Sequence, residues 1–429
     1  MSQVRIAQQM HALLTFLLRG WSWLIQALGR RVPKPIHPEI PTAEMTDQQS
    51  PLLQSNHKLP VVLNWLARSE GAERIATFEF PLFSDAGFTG QVRAKNWPYE
   101  FLNTVPTDIE AGEVKAPLIL RCHIHAPQSV VPDFSKTDSS AYHGGVMTDE
   151  VAALASLCTG TRLRAGGMSR AFDPSTQDPL GRPVSWDRRA VPAMRLNPKR
   201  LVLPDVVGLH NLDSLHRFES LPSLSGRQAV ALVRAARLYQ DALWIAESEP
   251  ALAWLMLVSA IETAADDWSA TTGTPIDRLE QSKPELVQMI TEASSRELAE
   301  KIANAIEPSL GATKKFVEFS LAFLPQPPQK RPLAAFQIEW EPAALKKTFG
   351  IIYGYRSKAL HGGTPFPAPM CEPAETHQVM EGVSERGTTG LAASTMGGFW
   401  RAKDLPVNLH MYHYLVRETL LKWWASLES

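Results

Sequence analysis

The chain of 429 residues carries 43 Lys and Arg against 44 Asp and Glu, with 44% hydrophobic and 8% aromatic residues, the profile of an ordinary globular protein. A net charge of −1 supplies no global field to steer a nucleic acid or a membrane, so any such surface has to be local. The length implies two or three domains, and Cys122, Cys158 and Cys371 are too few and too widely spaced for a disulfide framework, which fits a reducing cytosol and a cytoplasmic protein.

Residues 1–31 read as an amphipathic helix. Ile6, Met10, Leu13, Leu17, Trp21, Leu24 and Leu28 form an apolar stripe at steps of three and four. No acid precedes Glu39, while Arg5, Arg19, Arg30 and Arg31 are basic, so peripheral membrane contact is one reading. Packing on the rest of the protein or on a second subunit is the favoured one, because Arg19 cuts the apolar run below the length of a bilayer span and no small-residue cleavage site follows. Residues 32–58 hold Pro33, Pro35, Pro38, Pro41 and Pro51 and form a linker, since proline suits neither helix interiors nor central strands.

From 59 to 220 the pattern becomes short and strand-like. "ATFEFPLF", "TGQVRA" and "APLILRCHIHA" are bounded by Gly, Pro, Asn and Asp, with one helical piece at "DEVAALASL". This is expected to be a strand-rich mixed domain that senses or binds a regulatory protein or ligand. In "LILRCHIHA" the period of two sets Cys122 and His125 on opposite faces. With His143 and Cys158 downstream a zinc site is conceivable, but no metal-ligand spacing supports it, and a solvated strand face is the preferred reading. Residues 159–200 hold nine basic residues against Asp173, Asp178 and Asp187. Within them "TRLRAGGMSR" makes Arg162, Arg164 and Arg170 candidates for nucleic-acid binding, with solvated loops and local ion pairs as the alternative. There is no Walker A loop, no dinucleotide GxGxxG and no nucleophile elbow, so nothing supports the common ATPase, dehydrogenase and hydrolase readings.

Residues 221–429 turn helical, with helices expected over 226–247, 251–268, 284–306, 309–324, 342–361 and 406–426 and a long irregular insertion at 363–405. The fold class is therefore α+β, an amphipathic helix and strand-rich domain followed by an all-α bundle. On helix 342–361 the apolar stripe Leu345, Phe349 and Ile352 continues onto Arg356, a guanidinium at a core-facing position. Burying it unpaired would cost several kcal/mol, so it needs a carboxylate, a wet cleft or an anion. His361 lies five residues on, roughly 140° round the helix, beside Gly362, where a left-handed cap is expected. The last carbonyls of a helix favour a nearby cation, which suits an imidazole that moves protons near neutrality. Gly350 and Gly354 leave a flat face that something can approach, a second copy of the helix being one candidate.

"YRSKALHGG" resembles the R-x4-6-H motif of HEPN domains, and "ALAWLMLVSAIETA" is similar to the early helix of the Apea-like branch, which often carries a glutamate where Glu262 stands. The resemblance covers roughly residues 225–427. It implies a commonly dimeric helical bundle of a family that includes metal-independent ribonucleases of toxin, antiviral-defence and stress systems, together with non-catalytic members. Carried over, Arg356 and His361 would be the catalytic pair acting on RNA without metal or cofactor, and Glu262 would orient Arg356. Two features depart from the pattern. The residue after the arginine, often Asn or Asp in active members, is Ser357, and the insertion after Gly363 is long. The alternatives are a non-catalytic interaction module, and a protein whose activity lies in the first domain while the bundle only dimerises it.

Overall fold

The computed structural model describes residues 59–429 except 105–111, 126–134, 174–177, 195, 198, 270–273, 307–310, 376–381 and 429. The expected amphipathic helix and linker lie outside the described residues. What is described is mixed α+β with a helical C-terminal region.

The chain enters through α1 (Pro60–Ser69), unexpected from the sequence, with Pro60 in its first turn and Val61, Val62 and Trp65 buried. A largely antiparallel sheet follows. β1 (Ala76–Ser84) pairs with β4 (Lys115–Ile124), which pairs in turn with β3 (Tyr99–Asn103). Alternation does the work expected of it: Phe80 sits opposite Leu120 and Leu82 opposite Leu118, all buried, while Glu79, Arg121 and Glu100 lie side by side on the other face. There the Arg121 guanidinium reaches Glu79 Oε1 at 2.7 Å and Glu100 Oε2 at 3.3 Å. "TGQVRA" does not become a strand of its own: Thr89 ends β2 (Ala86–Thr89), and Val92 makes an isolated bridge to Phe101. Strand β2 pairs in parallel with β8 (Gly208–Asn211), while β5 (Arg164–Ala165), β6 (Arg170–Phe172) and β7 (Arg182–Pro183) extend the sheet beyond β1.

Helix α2 (Met147–Thr159), nearly all of it buried, fills the space between this sheet and the bundle. The bundle opens with α3 (Gly226–Ile245), whose start is set by Ser225: its Oγ accepts from the Gln228 N–H and the Gln228 side chain accepts from the Ser225 N–H. The break "SEP" turns the chain into α4 (Pro250–Ser269). The run expected as one helix over 284–306 is two, α6 (Pro284–Ala293) and α7 (Arg296–Ala305), preceded by α5 (Pro275–Ser282). Ser294 and Ser295 break it, and Ser295 caps α7 by accepting from the Leu298 N–H. These three short helices pack around Leu279, Val287, Ala299 and Ala303, a small cluster of their own. α8 (Ala312–Ala322), α9 (Pro342–Gly362) and α11 (Leu409–Ser426) complete the bundle around α4. The insertion is less irregular than expected: it holds a short helix, α10 (Ala368–Cys371), and a hairpin of β9 (Ala392–Thr395) and β10 (Gly398–Arg401).

One hydrophobic cluster runs through both the strand-rich and the helical halves. Phe218 lies against Trp97 and Phe101 from the first half and Trp424 from α11, and Trp254 of α4 stacks on Tyr412 at 4.4 Å and Phe366 at 5.1 Å. Among the described residues no helix is long and apolar enough to cross a membrane.

His413 of α11 is buried with its Nε2 2.6 Å from the Tyr239 hydroxyl. Burial, with help from the charges of His410 and Arg417, pushes its pKa down to about 3. The unfolded chain protonates this imidazole near 6.5 while the native state does not, so stability is full above pH 6.5 and falls as pH drops from there toward 3. The expected slope is up to ~1.4 kcal/mol per pH unit. Denaturant titrations over this range should show a steeper slope in wild type than in His413→Gln, where His125 and His210, also lowered by burial, still contribute.

Candidate active site

The site rests on two helices. In α9 the stripe Leu345, Phe349 and Ile352 is buried, which fixes the rotation of the helix and forces Arg356 toward α4. There Glu262 receives it: the Arg356 Nη2 donates to Glu262 Oε2 at 2.7 Å, and the Tyr353 hydroxyl donates to Glu262 Oε1 at 2.9 Å. The guanidinium also lies over the Tyr353 ring, 5.5 Å from its centroid, so a carboxylate and an aromatic face hold it from two sides. Both charged side chains keep about a fifth of their surface in solvent, 20% for Arg356 and 18% for Glu262. The pair is therefore neither a sealed core bridge nor a free surface contact. The Arg356 Nε is buried and has no hydrogen-bond partner among the described residues.

These groups line a cleft of about 510 Å³. His361 lines it too, as do Ser357 and, from α8, Lys315. The two residues that stand 140° apart on an ideal helix thus border one space, because arginine is long and the histidine sits, exposed, in the last turn. That turn ends at Gly363, not Gly362. Gly363 takes the left-handed conformation at φ 64°, and Lys358 O accepts from the N–H of the cap. On the outer face of α9, a Cβ added at Gly350 or Gly354 would meet nothing within 4 Å.

Electrostatically the cleft brings Arg356, Lys315 and His361 against Glu262 and Asp266. Lys315 Nζ lies 3.1 Å from Asp266 Oδ1. Burial, then the charge and hydrogen bond of Glu262, push the Tyr353 hydroxyl up to about 12, so it stays a donor across the physiological range. Tyr353→Phe is expected to lower stability by about 1 kcal/mol and to let the Glu262 carboxylate swing. A fall in denaturant midpoint at unchanged slope would read the first effect.

No protein-family model, curated protein or solved structure matches this chain. The site therefore stands on its own geometry.

Arg162, Arg164 and Arg170 are each held by acceptors of this chain, and the buried Arg162 is closed to a nucleic acid. Arg162 is wholly buried, with Nη1 2.8 Å from Asp85 Oδ2, Nη2 2.9 Å from Glu247 Oε1 and Nε donating to Leu243 O. Two buried carboxylates and a carbonyl claim all three of its nitrogens, so it is a strut between the sheet and α3. Arg164 pairs with Asp241 at 2.8 Å and lies over the Trp244 ring. Arg170 lies 3.5 Å from Glu79 and donates to Leu180 O. Local carboxylates offset part of the positive charge of this segment. The imagined zinc residues are dispersed as well: Cys122 and Cys158 are in the core, His125 Nδ1 lies against Ala72 O, and His143 Nε2 lies 2.8 Å from Glu150. Among the described residues no group of His, Cys, Asp and Glu is placed to hold a metal ion.

Sequence reasoning missed Tyr353, Asp266 and Lys315. Helical spacing carried a signal for the first two, since Tyr353 precedes Arg356 by three and Asp266 follows Glu262 by four. Lys315 had none, because it arrives from a separate helix.

Proposed function

We propose that the protein is a metal-independent endoribonuclease of the HEPN type, an effector of the toxin or antiviral-defence kind, working as a homodimer. One observation carries the reading: Arg356, held by Glu262 from a second helix, and His361 line the same solvent-reached cleft. In the reaction the RNA 2′-oxygen attacks the adjacent phosphorus while the bond from phosphorus to the 5′-oxygen breaks. This leaves a 2′,3′-cyclic phosphate and a 5′-hydroxyl. The proton lost by the 2′-hydroxyl and the one gained by the 5′-oxygen pass through His361, and Arg356 stabilises charge on the phosphoryl oxygens. Glu262 and Tyr353 keep the guanidinium fork aimed.

The outer face of α9 supports the dimer reading. Gly350, Gly354, Ser357 and His361 recur at steps of four, three and four, and the two glycines leave that strip open. A second copy lying along it would set two Arg/His pairs in one groove.

The second reading, a non-catalytic module that binds a protein or nucleic acid, draws on the 2.7 Å contact of Arg356 with Glu262, which already satisfies part of the charge. Incubation of wild type with single-stranded RNA in excess chelator tests the two. Products ending in 2′,3′-cyclic phosphate are expected. Binding without cleavage would leave the interaction module.

A further inference from the structure

Two clefts meet on the C-terminal half of α4. The Arg356 cleft lies on one side, and a second, of about 650 Å³, lies on the other, between α4 and the first half of α3. Thr263 and Asp266 line both, so one turn of helix, about 5.4 Å of rise, forms the ridge between them. Across the second cleft α3 presents Arg227, Val230, Ala231 and Arg234, an apolar floor with a guanidinium at each end. Arg227 Nε pairs with Asp267 Oδ1 at 2.7 Å.

Arg234 differs from every other arginine described above. It donates to the main-chain carbonyls of Tyr142 at 2.9 Å, Ser140 at 3.0 Å and Ser139 at 3.1 Å. Among the described residues no carboxylate pairs with it. Carbonyl dipoles fix the guanidinium without cancelling its charge, so the cleft keeps a positioned positive group. Arg356 and Lys315 on one side of the ridge and Arg227 on the other are each met by a carboxylate, of Glu262, Asp266 and Asp267, so Arg234 is the cation of the second cleft that carbonyls alone hold. A guanidinium whose charge is left uncancelled beside the aliphatic surface of Val230 and Ala231 suits a phosphate, with the neighbouring base lying on that surface.

We propose that the second cleft is a binding site for single-stranded RNA, taking nucleotides that flank the scissile phosphate, with Arg234 as a phosphate contact. The proposal rests on the ribonuclease reading of the Arg356 cleft. It makes α4 a ridge over which the strand passes, and it makes a long oligonucleotide a better ligand than a short one.

Fluorescence anisotropy with labelled four- and twelve-nucleotide oligouridylates tests this in the full chain carrying His361→Ala, so that the RNA stays intact. The twelve-mer is expected to bind about tenfold more tightly, and Arg234→Gln to remove most of that advantage. The slope of log affinity on log salt should become shallower by about 0.7 for the lost phosphate contact. Arg234→Lys should restore much of both, and Arg227→Gln reads the same cleft should the loop at 139–142 loosen in Arg234→Gln. A full length advantage retained in Arg234→Gln and Arg227→Gln overturns the second cleft while leaving the nuclease reading intact, provided unsubstituted protein cleaves RNA. An Arg234-dependent advantage in a protein that never cleaves overturns the nuclease reading alone, and no binding of either oligonucleotide overturns both.

Discussion

On the ribonuclease reading, Arg356→Ala and His361→Ala are each expected to lower RNA cleavage by about 10²- to 10⁴-fold, the range for removing a charge-stabilising group or a proton-transfer group, with the fold kept. His361 is exposed in the last turn, so its loss takes nothing from the core. Arg356 leaves behind a Glu262 that still accepts from the Tyr353 hydroxyl and keeps 18% of its surface in water, so the carboxylate is not stranded. The two groups act on one transition state, so the double substitution should be scarcely worse than the worse single one. Arg356→Lys keeps the charge but not the fork and should recover only part of the rate. Cleavage rates with circular dichroism as the control read the series. Equal activity in wild type and both alanine variants would remove Arg356 and His361 from the chemistry.

Arg162→Met is the substitution with the largest expected effect on stability. The side chains of Arg162 and Asp85 are 0% exposed and that of Glu247 2%. Removing the cation leaves two buried carboxylates facing each other, at a cost of about 3–5 kcal/mol, a large part of what a domain possesses. Burial already pushes the Asp85 carboxyl up in the presence of Arg162. A raised native pKa means that stability is highest below the ordinary Asp range and falls as pH rises through the native value, so Asp85 ionisation opposes folding at neutral pH. Adding Asp85→Asn to Arg162→Met should therefore restore part of the loss. Adding Glu247→Gln should restore less, because Glu247 also accepts from the N–H groups of Val202 and Leu203. Urea titration of the single and double variants measures the series, and a midpoint for Arg162→Met within error of wild type would refute it.

These two arginines mark what a linear reading can and cannot reach. Arg356 was legible because its helix announces itself: three apolar residues at helical steps fix the buried face, and a charge on that face has to be explained. Arg162 was not, because its acceptors come from two distant places in the chain, Asp85 and, around the end of α3, Leu243 and Glu247, and a basic run looks the same whether it is solvated or buried. The strands at 76–84 and 115–124 followed from alternation, which depends on one buried face. α1 was hidden because "PVVLNWLARS" packs as a short helix whose apolar residues also suit a strand. The break at Ser294 and Ser295 was overridden by the good helix formers on either side, and only the cap that Ser295 makes shows why the chain stops there.

The shared core has a thermodynamic corollary. Phe218 touches Trp97, Phe101 and Trp424, and Arg417 of α11 donates to the carbonyls of Leu157 and Cys158 at the end of α2. A fragment cut near residue 220 would lose these partners from both sides at once, so point substitution in the whole chain, rather than truncation, is the way to assign a role to either half. A ligand that binds only the native sheet adds RT ln(1 + [L]/Kd) to the unfolding free energy of everything that unfolds with it. The helix bearing Arg356 is part of that unit, and occupancy of the sheet should be readable as slower hydrogen exchange at its amides.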